Sequence, residues 1–180
     1  MSQKRYKNNP YPEDFINVYD FTLDFIIKNI PLGSKIIDVG CSNGILTSII
    51  KEKCYPKKLV GIDVDQTLIQ IAHKMYNDIE FIHLDGEKLH NYYLDEKFDV
   101  IFLRNTFHHF KKKAETLKYY KEVLLEKNGV IIIIDLDNKS NFSFRGLGAL
   151  VSLVFSMKNI GFKKFVKLLT DENVKVEVFQ

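Results

Sequence analysis

The sequence predicts an α/β fold, in which a mostly parallel, twisted sheet carries helices on both faces. Along the 180 residues, short apolar runs alternate with longer amphipathic segments. The short runs are almost continuously apolar, which is typical of strands that are buried on both faces of a parallel sheet. The alternation and the apolar strands together favour a three-layer sandwich of helices, sheet and helices.

This pattern predicts five strands and the helices between them. The strands cover residues 36–39, 59–62, 81–84, 98–103 and 130–134. Helices are predicted over residues 15–30, 45–53 and 112–126, and another helix follows Asp65, whose carboxylate can cap it. The inner face of the capped helix would carry Leu68, Ile71, Ala72 and Met75. Beyond residue 137, two apolar stripes and the alternating segment Val174–Phe179 predict two helices and a last strand.

The composition is that of a globular chain with the length of one domain. Hydrophobic residues make up 46% of the sequence, and 26 basic against 23 acidic residues leave a net charge of +3. This small excess is weak evidence for a nucleic-acid partner, because dedicated binders concentrate basic charge on one face. Cys41 and Cys54 form no C-x-x-C pair, so we expect no metal site. No apolar segment reaches the roughly 20 residues of a membrane-spanning helix, and we expect a cytoplasmic protein.

The first predicted strand runs into a glycine turn, Gly40–Gly44, that precedes a helix. Glycines allow a tight turn and let a ligand approach the backbone closely. The start of the following helix presents unpaired amide groups to an anion. Taken alone, the segment fits an ordinary turn equally well.

An acidic residue ends the second predicted strand. Asp63 lies 19 positions after Gly44, and a carboxylate about 20 positions after a glycine loop can accept hydrogen bonds from a ribose diol. A helix cap is the alternative role, but Asp65 is better placed for it. The pairing of loop and carboxylate therefore favours a cofactor of the adenosine type.

Polar residues also follow the third and fourth predicted strands. Asp85 could accept a hydrogen bond from an adenine amino group, or could belong to a simple Asp-Gly turn. Four residues after the fourth strand would enter the substrate region: Arg104, Asn105, His108 and His109. The histidine pair could act as a general base or orient a nucleophile. Alternatively, one histidine could pack beneath the next helix.

The chain resembles the class I S-adenosylmethionine-dependent methyltransferases of the small-molecule type. The resemblance rests on five segments in the expected order and spacing, which are IIDVGCSNG, GIDVD, FIHLDGEKL, FDVIFLRNTFHHF and LLEKNGVIIIIDLD. They cover roughly residues 32–137. The resemblance implies a Rossmann-like α/β sandwich, S-adenosylmethionine as the cofactor and a small-molecule acceptor.

The resemblance also implies roles for individual residues. The methionine and ribose side of the cofactor would be lined by Asp38, Gly40, Cys41, Ser42 and Gly44. Asp63 would hold the ribose hydroxyls, and Val64 would lie against the adenine. The adenine edge would meet Asp85 and Gly86, while Arg104 and Asn105 would pass beneath the sulfonium end. His108 and His109 are the candidates for catalysis.

The sequence departs from the family pattern in three places. Ser42 stands where the family often has glycine, and Lys127-Asn128-Gly129 replaces a Pro-Gly-Gly turn. The family sheet closes with two further strands, but only Val174–Phe179 is a clear candidate here. A missing strand would expose a sheet edge and favour pairing with a second chain, so a homodimer is possible.

The expected protein is a single domain over residues 1–180 that methylates a small molecule. It would comprise an N-terminal helical cover at 1–31, a cofactor-binding core at 32–137 and C-terminal helices with the last strand at 138–180. A nicotinamide dehydrogenase is disfavoured, because G-x-G-x-x-G is not present after the first strand. The remaining alternative is a methyltransferase-like subunit that binds without catalysing. The apolar stripes of residues 142–169 would pack on the sheet, cover the substrate or touch a membrane.

Overall fold

The computed structural model describes residues 26–93 and 95–134, and it contains a sheet with helices on both sides. The strands are β1 (Lys35–Val39), β2 (Lys58–Asp63), β3 (Glu80–His83), β4 (Phe98–Arg104) and β5 (Leu125–Ile134). The α-helices are α1 (Ile45–Cys54), α2 (Gln66–Met75) and α3 (Lys113–Tyr119), which continues as a π-helical turn at Tyr120–Leu124. Short 3₁₀ helices cover Gly86–Asn91 and Phe107–His109.

The five strands pair in the order β3-β2-β1-β4-β5, and every pairing is parallel. The strand order reverses between β1 and its neighbour β4. In open α/β sheets, ligands bind beyond the carboxyl ends of the strands at such a reversal. The predicted α/β fold class is confirmed.

Side chains from the two faces of the sheet enter two separate core clusters. Ile37, Val39 and Leu103 pack on one side with Leu117 and Tyr120. The neighbouring strand positions pack on the other side with residues of α1 and α2, and this second cluster includes Ile36, Val100, Phe102, Leu46, Ile50, Ile69 and Ala72. Because consecutive strand residues point to opposite faces, helices on both sides are needed to bury them.

The ends of the described region follow the predictions only in part. Residues 26–29 are helical, and Ile26 and Ile30 are buried. The rest of the helix predicted at 15–30 lies outside the described residues. The apolar stripes beyond residue 137 and the strand expected at Val174–Phe179 also lie outside them. In the part of the chain that is described, no helix has the length and apolar character needed to cross a membrane.

The inner face of α2 differs from the prediction. Asp65 caps this helix as expected, since its carboxylate accepts hydrogen bonds from the backbone N–H groups of Thr67 and Leu68. The buried positions are Ile69 and Ala72, whereas Ile71 and Met75 are 37% and 40% exposed. The apolar residues of α2 form two adjacent stripes, and only the packing against β3 determines which stripe is buried.

The strand β5 begins earlier than predicted. Phe98 pairs with Leu125, but Val100 already pairs with Val130. The residues between these pairs form an irregularity in the strand, so Lys127, Asn128 and Gly129 lie in a bulge. The helix predicted to reach residue 126 correspondingly ends with the π-helical turn at Leu124.

Gly44 begins α1 in a left-handed conformation, with φ at +78°. A Cβ atom at this position would lie 2.6 Å from Cζ of Phe81 and 3.1 Å from Cβ of Ala72. Gly33 has a similar φ of +71°, but a Cβ atom there would meet nothing within 4 Å. Substitutions at the two glycines therefore separate the free-energy cost of a positive φ from the free-energy cost of steric overlap.

We expect Gly33→Ala to lower the free energy of unfolding by about 1 kcal/mol, because alanine is strained at positive φ. Gly44→Ala should cost about 1–3 kcal/mol more, since its Cβ atom also displaces Phe81. Urea denaturation of both variants measures the difference. Equal losses would show that Phe81 does not restrict residue 44.

Candidate active site

A cavity of about 540 Å³ lies beyond the carboxyl ends of β1, β2 and β4. Its walls come from residues at the carboxyl ends of four strands and in the segments that follow them, 38–43, 63–64, 84–87 and 104–106, together with Leu46, Leu68, His109 and Phe110. The volume is within the range of small-molecule pockets, roughly 300–1,000 Å³. The cavity therefore occupies the place in the fold where a ligand is expected.

The structure brings most of the predicted site residues to this one cavity. Those that line it are Asp38, Gly40, Cys41, Ser42, Asp63, Val64, Asp85, Gly86, Arg104, Asn105 and His109. They come from four segments that are distant in the sequence and adjacent only because β3, β2, β1 and β4 are neighbours in the sheet.

Two predicted residues do not line the cavity. Gly44 is buried at the start of α1, where it faces Phe81 and Ala72 rather than the cavity. His108 is half-buried, and its backbone carbonyl accepts a hydrogen bond from Nζ of Lys113 at 3.1 Å. Consecutive residues of a 3₁₀ helix point about 120° apart, so the exposed His109 faces the cavity and His108 does not. The two rings are 3.8 Å apart between centroids.

The cavity also contains residues that the sequence analysis did not single out, namely Val39, Asn43, Leu46, Leu68, Leu84, Glu87, Thr106 and Phe110. Most of them stand next to a predicted residue, so adjacency would have identified them. Leu46 and Leu68 lie in the first turns of α1 and α2, the helices that follow Gly44 and Asp65. Their position in the first turn of a helix that follows a candidate ligand-binding loop is the sequence feature that could have identified both residues.

Asp63 holds the glycine turn in place from the neighbouring strand. Its Oδ2 accepts a hydrogen bond from the backbone N–H of Ser42 at 2.8 Å, and its Oδ1 accepts one from the N–H of Asp65 at 2.9 Å. The carbonyl of Ile62 accepts hydrogen bonds from the N–H groups of Gly40 and Cys41 at 2.8 and 2.9 Å. The carboxylate of Asp63 is thus fixed beside the turn, and each of its oxygens keeps a lone pair for a further donor.

Two cavity residues other than glycine have positive φ angles. Ser42 has φ of 54° and Asn105 has φ of 52°. Such conformations cost free energy in residues with a side chain and are concentrated at functional sites. The N–H of Asn105 donates to the carbonyl of Ile134 at 2.7 Å, so the end of β5 helps to hold this conformation.

Gly40 makes room for a side chain of the protein itself. Its φ is +82°, and a Cβ atom would lie 1.9 Å from Oγ1 of Thr106. Thr106 in turn donates a hydrogen bond from Oγ1 to the carbonyl of Arg104 at 3.0 Å. The glycine therefore lets the segment after β4 pack directly against the segment after β1.

Asp38 is the most deeply buried charged group of the cavity wall, with 2% of the residue exposed. Oγ1 of Thr47 donates a hydrogen bond to its Oδ2 at 2.6 Å. Burial raises the pKa of Asp38 to about 7, and the charge of Asp63 adds to this rise, whereas the Thr47 hydrogen bond and the Arg104 guanidinium oppose it. Asp38 therefore changes its charge near neutral pH.

The other buried titratable groups around the cavity stay protonated. Burial raises the pKa of the Cys41 thiol, and the carboxylates of Asp38 and Asp63 raise it further. A thiol in this state is a poor nucleophile. Burial also raises the pKa of Tyr120, whose hydroxyl donates a hydrogen bond to the carbonyl of Gly86 at 2.8 Å. Tyr120 thus holds the segment after β3 in place.

The described residues offer no arrangement for a metal ion. Within residues 26–93 and 95–134, no three histidine, cysteine, aspartate or glutamate side chains are grouped closely enough to hold one. The polar groups of the cavity wall, which include four carboxylates, an arginine and the turn backbone, suit an organic ligand with hydroxyl and cationic groups.

Comparison with known proteins identifies the family. The family model described as "Methyltransferase domain" matches residues 32–174, which is most of the chain. The chain therefore belongs to the methyltransferase domain family, and its predicted resemblance to class I S-adenosylmethionine-dependent methyltransferases is confirmed. At the level of this family, S-adenosylmethionine is confirmed as the cofactor.

Curated relatives carry methyltransferase names. The chain is 29% identical over 112 residues to demethylmenaquinone methyltransferase of Thermotoga maritima. This alignment covers 62% of the chain and 48% of the relative. The chain is 26% identical over 155 residues to malonyl-[acyl-carrier protein] O-methyltransferase 1 of Ilyobacter polytropus. This alignment covers 81% of the chain and 58% of the relative. The chain spans about half the length of the curated relatives it matches.

Solved structures show the same fold. A protein from Pyrococcus horikoshii OT3 superposes with a TM-score of 0.63 at 20% identity, over 76% of this chain and 68% of that one. The plantazolicin methyltransferase BpumL, solved with a desmethylplantazolicin analogue and SAH, superposes with a TM-score of 0.55 at 26% identity. That match covers 74% of this chain and 51% of BpumL.

The raised pKa of Asp38 makes the stability of the ligand-free protein depend on pH. Folded Asp38 binds its proton more tightly than unfolded Asp38, so its ionisation opposes folding as pH rises from about 4 to about 7. Asp38→Asn does not ionise, and its amide oxygen can still accept from Thr47. We expect wild type to lose about 1–3 kcal/mol of unfolding free energy relative to this variant between pH 5 and pH 8.

Urea denaturation of both proteins at the two pH values measures this loss. Every other titrating group is common to the two proteins, so the difference between them isolates Asp38. Parallel pH profiles would show that Asp38 titrates in the folded state as it does in the unfolded chain.

Proposed function

We propose that this chain binds S-adenosylmethionine in the 540 Å³ cavity and transfers its methyl group to a small-molecule acceptor. The observation that carries the proposal is the position of Asp63. Its carboxylate lies within hydrogen-bond distance of the Ser42 N–H, on the wall of the same cavity as Asp38 and Arg104. One cavity can therefore accommodate a ribose at one end and a charged amino-acid moiety at the other.

The residues after β2 and β3 suit the adenosine part of the cofactor. In this proposal, the free lone pairs of Asp63 accept hydrogen bonds from the ribose hydroxyls. Val64 is apolar and 69% exposed on the cavity wall, so an adenine ring would cover it. Asp85 accepts a hydrogen bond from the N–H of Glu87 at 3.0 Å, and together with Gly86 it would meet the adenine edge.

The residues after β1 and β4 suit the methionine part. The turn Gly40–Ser42 and the carboxylate of Asp38 would face its positively charged groups, and Arg104 and Asn105, which line the same cavity, would pass beneath the sulfonium end. When bound, S-adenosylmethionine supplies a methyl group activated by its cationic sulfur. The chain has to align the acceptor with this group and exclude water, and neither task requires a catalytic triad.

His109 is the group that we propose for proton transfer where the acceptor has to lose a proton. It is the histidine of the pair that lines the cavity, and it leaves the segment after β4 beside Arg104 and Asn105. An imidazole can accept a proton at neutral pH. The small-molecule acceptor is supported by the name of the Thermotoga maritima relative, a demethylmenaquinone methyltransferase.

We expect isothermal titration calorimetry to show binding of S-adenosylhomocysteine, and Asp63→Ala to weaken it by about 1–3 kcal/mol. The loss has two sources, the ribose hydrogen bonds and the anchor of the Ser42 N–H. Asp65→Ala is the matched control, because Asp65 caps α2 and does not line the cavity. Unchanged affinity in Asp63→Ala, or an equal loss in Asp65→Ala, would contradict the assignment of Asp63.

We expect His109→Ala to slow methyl transfer to hydroxyl and thiol acceptors by about 10²-fold or more, because a general base contributes about that factor. His108→Ala should retain most of the activity, since His108 does not line the cavity. The assay follows transfer of a labelled methyl group to a panel of small acceptors. Equal rates in the two variants would rule out His109 as the base, and cofactor binding without any transfer would favour a non-catalytic role.

A further inference from the structure

Thr47 contacts a residue of the candidate site but does not itself line the cavity. It lies in the first turn of α1 and is completely buried, with 0% of the residue exposed. A helical threonine commonly bonds a backbone carbonyl of its own helix. Here the hydroxyl instead donates to Oδ2 of Asp38 on β1, 2.6 Å away. The contact thus ties the helix after the glycine turn to the carboxylate before it.

Asp38 needs such a donor because its surroundings disfavour its charge. It is 2% exposed, so it has lost nearly all contact with water. Among the described residues, the titratable or charged groups that act on it are Asp63 on β2, Arg104 on β4 and the thiol of Cys41 in the turn. Asp63 carries the same charge as Asp38, and Cys41 stays neutral. Arg104 and the Thr47 hydroxyl therefore supply the stabilisation of the ionised form.

We propose that Thr47 is a positioning residue, which keeps Asp38 ionised and directed at the cavity so that the carboxylate can meet the cationic end of an adenosyl cofactor. This inference rests on the proposed function of the cavity. Thr47 touches neither cofactor nor acceptor in this arrangement, and it acts only through Asp38. Its hydroxyl therefore sets the pH range over which the cofactor binds.

The direction of the effect follows from proton linkage. A hydrogen bond to the ionised carboxylate lowers the pKa of Asp38, so removal of the donor raises that pKa further. A cationic ligand binds the ionised form better, and its affinity therefore increases as pH rises through the pKa. Without the Thr47 hydroxyl, the increase has to occur at higher pH.

The test compares Thr47→Val with Thr47→Ser. Valine keeps the shape of the side chain and removes the donor, whereas serine keeps the donor. The dissociation constant of S-adenosylmethionine is measured by calorimetry between pH 6 and pH 9. The amino group of the ligand titrates identically in every variant, so differences among variants report on the protein.

We expect Thr47→Val to lose about 10-fold in affinity at pH 6.5, as for one charge-assisted hydrogen bond, and less than about 3-fold at pH 9. Thr47→Ser should stay within about 3-fold of wild type throughout. A loss in Thr47→Val that is the same at every pH would overturn the proposal, because a purely structural role has that result. Equal weakness of the serine and valine variants would also overturn it.

A second measurement does not depend on the ligand, and its wild-type part does not depend on the folding of the valine variant. The carboxyl ¹³C resonance of Asp38 in ligand-free wild type should titrate well above the ordinary range of an aspartate, and its midpoint should rise in Thr47→Val but not in Thr47→Ser. A wild-type midpoint near 4 would overturn the proposal. If the three proteins show the expected midpoints but wild type binds no adenosyl compound, the result contradicts the proposed function and not the role of Thr47.

Discussion

The candidate site depends on the parallel pairing of β1 with β2 on one side and with β4 on the other. All three strands are buried on both faces, so the apolar residues before their carboxyl ends fix them in register. Asp38, Asp63 and Arg104 come close because they stand at or near the ends of these strands. A shift of one residue in either pairing would turn every side chain of that strand to the opposite face. The core that stabilises the sheet therefore also positions the site.

The site buries charged side chains at a position where a purely apolar core would have none. Asp38 is nearly inaccessible to solvent, and Asp63 carries the same charge on the next strand. Burial of a carboxylate is unfavourable unless hydrogen bonds or opposite charges compensate. Thr47, the Ser42 N–H and Arg104 supply that compensation in part, and a cationic ligand would supply the rest. The buried carboxylate of Asp38 therefore makes the ligand-free protein less stable and the cavity attractive to a positively charged cofactor.

The tight turns around the cavity serve the packing of the protein as well as access for a ligand. Gly40 accommodates Thr106, and Gly44 accommodates Phe81, so each glycine is required by a neighbouring side chain. Ser42 keeps a positive φ beside them, held by its hydrogen bond to Asp63. Such a turn resists change, because relaxing one residue would break contacts on two strands. A site of this kind is largely formed before the ligand arrives.

Local sequence patterns were enough to predict the α/β class, the five strands, the capping role of Asp65 and most of the cavity wall. These features depend on local patterns, namely apolar runs, glycine turns and the position of a carboxylate at a strand end. Long-range packing was needed to establish that α2 buries Ile69 and Ala72, that β5 contains a bulge, that Gly44 packs away from the cavity and that His109 rather than His108 faces it. Each of these depends on which neighbour a side chain meets across the sheet, and helical or strand periodicity leaves more than one orientation open.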